Sequence, residues 1–109
     1  MTIKKKQELL GNKKITPLER TILIALDCFD DTGLNELDII KITDASHVQI
    51  LDAIWNINHC TNIARIVHFS DNETYQAYFS KASFEAAKKN YEKTHVTYKG
   101  QADFIFGKW

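Results

Sequence analysis

Glycine and proline are scarce in this chain, four and one in 109 residues, which argues against long flexible loops and a many-turned β-sandwich. No apolar run approaches the roughly 18 residues that a membrane-crossing helix requires. The two cysteines, Cys28 and Cys60, show no disulfide-framework spacing, so reduced thiols and a cytoplasmic protein are expected. The opening Met-Thr-Ile-Lys-Lys-Lys has no apolar stretch or cleavage site behind it and does not read as a secretory signal. The sharpest scarcity is local: no Lys or Arg lies between Ala45 and Ala64.

Apolar residues make up 44% of the chain and charged residues 26%, the balance of an ordinary globular protein with one core. The net charge is zero, but the sign changes along the chain. Residues 1–20 hold six basic and two acidic side chains, net +4. Residues 21–80 hold only Lys41 and Arg65 against nine acids, net −7, and residues 81–109 return to +3. Asymmetry of this kind bears on partners rather than on fold.

Ile3 to Leu10 reads as a short helix stopped by Gly11-Asn12. A firmer helix starts at Thr16-Pro17-Leu18-Glu19, where Thr16 can cap, Pro17 suits the first turn and Glu19 completes a capping box. Leu18, Ile22, Ala25, Leu26 and Phe29 then fall at core-facing helical spacing, and Gly33 suits the stop. Asn35 caps a shorter helix with Leu37 and Ile40 expected inward, and with Leu34 and Ile39 as a hydrophobic staple. After the turn Thr43-Asp44-Ala45, Ser46 with Gln49 opens a third helix whose inner face is Ile50, Ile54 and Ile57. Ala64–Phe69 and Thr74–Phe79 read as a hairpin around Ser70-Asp71-Asn72-Glu73. Ser80 caps a following helix with the stripe Phe84, Ala87 and Tyr91. His95–Trp109 alternates weakly (Val96, Tyr98; Phe104, Phe106), which suggests further strands or an aromatic docking segment. The expected fold class is mainly α with one β-hairpin, α+β. Its parts are a basic arm at 1–15, a domain at 16–94 and an aromatic tail at 95–109.

This order resembles the winged helix-turn-helix superfamily, and more narrowly its small bacterial and phage regulators of the MarR and PadR kind. Two stretches carry the likeness. Ile39-Ile40-Lys41-Ile42-Thr43-Asp44-Ala45-Ser46-His47-Val48-Gln49-Ile50 follows the helix-turn-helix. Phe79-Ser80-Lys81-Ala82-Ser83 is similar to the family's wing-to-helix Leu-Thr-x-x-Gly step, with Ser83 in place of glycine. The resemblance implies sequence-specific DNA binding, usually as a dimer, with the third helix in the major groove. Carried over, His47, Val48, Gln49, Leu51, Asp52 and Trp55 face the bases, and Arg65 and His68 lie on the wing.

The residues themselves pull two ways. The base-reading cations are missing from the third helix, while Val48, Leu51 and Trp55 form a second apolar stripe opposite Ile50, Ile54 and Ile57. A helix apolar on two faces is usually buried on two faces, and tryptophan favours the centre of protein interfaces. Alternatively, Trp55 plugs the domain's own core. Basic residues gather instead at the ends: Lys4, Lys5, Lys6, Lys13 and Lys14 first, then Lys81, Lys88, Lys89 and Lys93. They are either solvated surface or a phosphate-tracking grip. Phe104, Phe106 and Trp109 join Val48, Leu51 and Trp55 as candidate protein-interface residues.

His59, Cys60 and His68 match no common zinc spacing. Asp44, His47 and Asp52 lack a nucleophile or paired-carboxylate logic. No metal, cofactor or enzymatic activity is therefore expected. The leading expectation is a small non-enzymatic regulator of gene expression with a winged-helix fold, homodimeric, that binds DNA weakly or through its basic termini. The alternative is a protein-binding winged helix, an adaptor, antirepressor or inhibitor, that uses the apolar face of its third helix.

Overall fold

A computed structural model describes residues 2–94 and 101–109, excluding the side chain of Gln101. The described helices are α1 Ile3–Gly11, α2 Pro17–Cys28, α3 Glu36–Thr43, α4 His47–Cys60, α5 Lys81–Thr94 and α6 Gln101–Phe106. Between α4 and α5 lie β1 Arg65–Phe69 and β2 Thr74–Tyr78, paired antiparallel with Ile66 opposite Ala77 and His68 opposite Tyr75.

Local chemistry sets most of these boundaries. Thr16 accepts from the Glu19 N–H while Glu19 Oε1 accepts from the Thr16 N–H, and Ser46 and Gln49 do the same at α4. Both capping boxes satisfy amides that the helix itself leaves unpaired. Asp44 ends α3 in the left-handed region, φ 56°, and its N–H donates to the Ile40 carbonyl at 2.8 Å. The Ser80 hydroxyl accepts from the Ser83 N–H and caps α5.

The hairpin separates two cores because alternate strand residues point to opposite faces. On one side Ile66, Ala77 and Tyr75 meet Ile22, Leu23 and Leu26 of α2, Ile39 of α3, and Ile50, Ile54 and Ile57 of α4, with Leu9 of α1 in the same cluster. On the other, Val67, Phe69 and Tyr78 meet Phe84, Ala87 and Tyr91 of α5 and Ala102 and Phe106 of α6. Burial among these rings pushes the Tyr78 phenol up to about 12. The result is helices, a two-stranded sheet, and helices again.

One extended residue joins the sheet from outside the hairpin. Leu34 donates to the Tyr75 carbonyl and accepts from the Tyr75 N–H, at 3.1 and 2.7 Å. Gly33 makes this approach possible: its φ is +69°, and a Cβ there would lie 2.7 Å from the Tyr75 oxygen. Glu19 ties α2 to α4, since its buried carboxylate accepts from Asn56 Nδ2 at 3.0 and 2.8 Å. The radius of gyration, 13.6 Å, is close to the ~13 Å expected of one domain this long.

Several sequence expectations need correcting. Phe29 and Leu37, assigned to core stripes, are exposed, because the buried faces are completed by Leu23 on α2 and Ile39 on α3. The part of the tail around Phe104 and Phe106 is helix rather than strand. Val96 and Tyr98 lie outside the described residues.

Candidate functional site

The outward side of α4 carries three large apolar side chains. The inner residues Ile50, Ile54 and Ile57 are buried, and that packing fixes how the helix is rolled. Val48, Leu51 and Trp55 are consequently left outward, 64%, 41% and 58% exposed. This placement removes the reading in which Trp55 plugs the core. Its indole instead stacks on His59, ring centroids 4.5 Å apart and 17° from parallel, while His59 Nδ1 lies 2.9 Å from the Trp55 carbonyl oxygen.

The rim of this stripe is acidic. Asp52 follows Leu51, and Asp44 sits in the turn before the helix, both exposed. Glu36 and Asp38 occupy the first turn of α3, where carboxylates also favour the helix dipole. Leu37 adds another exposed apolar side chain on α3. Helical spacing points Leu37 inward, so no local signal marks it as surface.

The two polar candidates on α4 are partly engaged. His47 Nδ1 pairs with Glu36 Oε1, linking α4 to α3 across the turn. Gln49 uses its carbonyl oxygen to cap its own helix. On the hairpin, Arg65 Nη1 donates to the Thr61 and Ala64 carbonyls at 2.7 and 2.9 Å. The Trp109 ring lies 5.1 Å from its guanidinium carbon. Desolvation by burial lowers the Arg65 pKa from its ordinary value, though an arginine so far above neutrality stays charged. Half-buried Arg65 is therefore partly engaged with the segment that joins α4 to β1. His68 stacks on Tyr75 at 4.5 Å, with Nε2 3.4 Å from a Glu73 carboxylate oxygen.

An open cleft of about 480 Å³ lies where these groups converge, lined by Glu36, Leu37, His47, His68, Glu73 and Tyr75. It brings the starts of α3 and α4 next to the hairpin. Among the described residues, no group of three or more His, Cys, Asp or Glu side chains is arranged to hold a metal ion. Cys28 and Cys60 are free and exposed.

The basic candidates divide. Lys4, Lys6, Lys13, Lys14 and Lys89 are exposed, and Lys5 is half-buried. Lys88 is tied down: its Nζ reaches Asp103 Oδ1 at 2.5 Å and donates to the Gly107 carbonyl at 3.4 Å. That hydrogen bond raises the Lys88 pKa and lowers the Asp103 pKa. The tail candidates divide too. Phe106 is buried against Phe69, Tyr78 and Phe84, and Trp109 packs edge-on against Phe84. Of the three aromatic tail residues named, Phe104 alone stays well exposed, at 91%.

No family model, curated protein or solved structure matches this chain. No helix among the described residues is long and apolar enough to cross a membrane.

Proposed function

We propose that the chain is a small non-enzymatic regulator of the winged-helix type that binds protein through the outward face of α4. Support for the winged-helix reading comes from the order helix, helix, tight turn, helix, hairpin, helix. The Leu34–Tyr75 bridge adds to it by laying a third extended segment against the hairpin. One observation carries the protein-binding part: Val48, Leu51 and Trp55 stand outward together on a helix without Lys or Arg. Such a face is poor at neutralising phosphates, while burying a large apolar side chain at a contact is worth about 1.5–3 kcal/mol. The acidic rim selects a partner with basic residues flanking its own apolar row, through charge complementarity.

The test is a display selection of helical peptides against the wild-type chain, with Leu51→Asp for counterselection. The expected ligands are amphipathic and basic at the flanks, and they lose at least about tenfold in affinity on the variant, the equivalent of 1.4 kcal/mol. Peptides that bind both proteins equally, or the absence of any enriched sequence, overturn the reading.

A second reading keeps DNA as the target and rests on the exposed Lys4, Lys6, Lys13 and Lys14. Phosphate contacts need charge and position but no base-reading side chains. This reading requires duplex binding that falls steeply with salt and weakens when these lysines become alanine. Binding indifferent to both removes it.

A further inference from the structure

The α4 face and the α1 surface complement one another, and we propose that the chain associates head to tail, α1 of one copy seated on α4 of the next. The inference rests on the reading of α4 as a protein-contact face and names its occupant. Ile3 and Leu10 on α1 are 78% and 59% exposed, although Leu9 is drawn into the main core. Seven residues apart, they lie on one side of the helix and about 10.5 Å apart along its axis. Val48 and Trp55 have the same separation on α4, with Leu51 between them.

Charge gives the pairing its direction. Exposed Lys4 and Lys6 lie within the α1 row, and Lys13 and Lys14 follow it, with no acid among the exposed side chains beyond Glu8 in residues 2–14. The α4 row is bordered by Asp44 and Asp52, and the neighbouring helix carries Glu36 and Asp38 against a single base, Lys41. A symmetric α4–α4 contact sets these carboxylates against their own copies, a like-charge arrangement that disfavours it. The α1–α4 contact pairs opposite signs instead. Made head to tail, once per pair and not reciprocated about a two-fold axis, the contact leaves each dimer one free α1 and one free α4 for further growth.

Sedimentation velocity from about 10 µM to 1 mM protein at low salt tests this, the range in which a small interface associates. The wild-type mass is expected to rise with concentration beyond a dimer and to fall back on adding salt. Leu51→Asp alone and the double variant Ile3→Asp/Leu10→Asp alone are each expected to be monomeric. Their equimolar mixture is expected to form a dimer and nothing larger, since one supplies α1 and the other α4. Circular dichroism checks that both keep the wild-type helix content, and Gln replaces Asp wherever one does not. A wild type that stays monomeric, an α1 variant that dimerises by itself, or a mixture that stays monomeric overturns the proposal. If the wild type is monomeric yet takes up a selected basic helical peptide through Leu51, only the second-copy occupant is lost. If it does neither, the α4 reading falls with it.

Discussion

Replacing Leu51 and Ile57 separately asks whether α4 has two apolar faces with two different jobs. Ile57 is fully buried and Leu51 is 41% exposed, although both are aliphatic and both lie in one helix. Ile57→Ala removes buried methyl and methylene groups and leaves a cavity, a loss of about 2–5 kcal/mol. Leu51→Gln keeps side-chain length and helix propensity, and only the partly covered share of its surface is at stake, so the loss is below about 1 kcal/mol. With a urea m-value on the order of 1.5 kcal/mol/M, the midpoint falls by about 1.3–3.3 M for Ile57→Ala and by less than about 0.7 M for Leu51→Gln. The assay is equilibrium urea unfolding followed by far-ultraviolet circular dichroism. It is run at low micromolar protein so that association adds nothing to the apparent stability. A loss of 2 kcal/mol or more for Leu51→Gln, about the floor for a core truncation, refutes the outward placement on which the functional reading rests.

Gly33→Ala forces a side chain into the left-handed region and against the Tyr75 oxygen, so a loss of about 1–3 kcal/mol is expected. Faster amide exchange at Leu34 and Tyr75 should accompany it, and an unchanged exchange pattern contradicts the bridge. Asn56→Leu strips two hydrogen bonds from the buried Glu19 carboxylate, at a cost of about 2–4 kcal/mol. Chemical denaturation checks this, and a loss under about 0.5 kcal/mol, the range of an ordinary surface change, means that the carboxylate is satisfied otherwise. The Lys88–Asp103 pair lowers the Asp103 pKa in the folded chain, so its stabilisation is present above the ordinary aspartate value and is lost as pH falls through the depressed one. Lys88 is raised, so its share is present below the ordinary lysine value and is lost as pH rises through the raised one. In a Trp55→Phe background, Trp109 fluorescence should report α6 loosening at acid pH. Asp103→Asn should already be loosened at neutrality, and identical acid profiles for the two proteins contradict the pair.

What the sequence made legible was local. The caps Thr16 with Glu19 and Ser46 with Gln49 are contacts between residues three apart, and their chemistry is the same in any fold. The row Ile50, Ile54 and Ile57 declares its face by spacing alone. The second core was harder, because it depends on which face of the hairpin meets the end of the chain. Phe104 and Phe106 are two residues apart in the same short helix, yet one is exposed and the other buried. That difference follows from the rings of Phe69, Tyr78 and Phe84 and not from neighbours in sequence. The surroundings of Arg65 are set in a similar way. A basic residue at the start of a strand looks available, but its guanidinium donates to the Thr61 carbonyl at the end of α4 and to the adjacent Ala64 carbonyl. For Trp55, spacing could not separate core from surface, and only the roll of α4 decides it. The acidic rim and the basic α1, by contrast, are already visible as a change of charge sign along the chain.

Amide chemical shifts of the isotopically labelled chain with excess mixed-sequence duplex distinguish an α4 that meets protein from one that enters a groove of DNA. The resonances of His47 to Trp55 are expected to stay in place, with any salt-sensitive shifts confined to the lysine-bearing segments Ile3–Lys14 and Lys81–Lys93. Shifts centred on His47, Gln49 and Leu51 that saturate with added duplex contradict it.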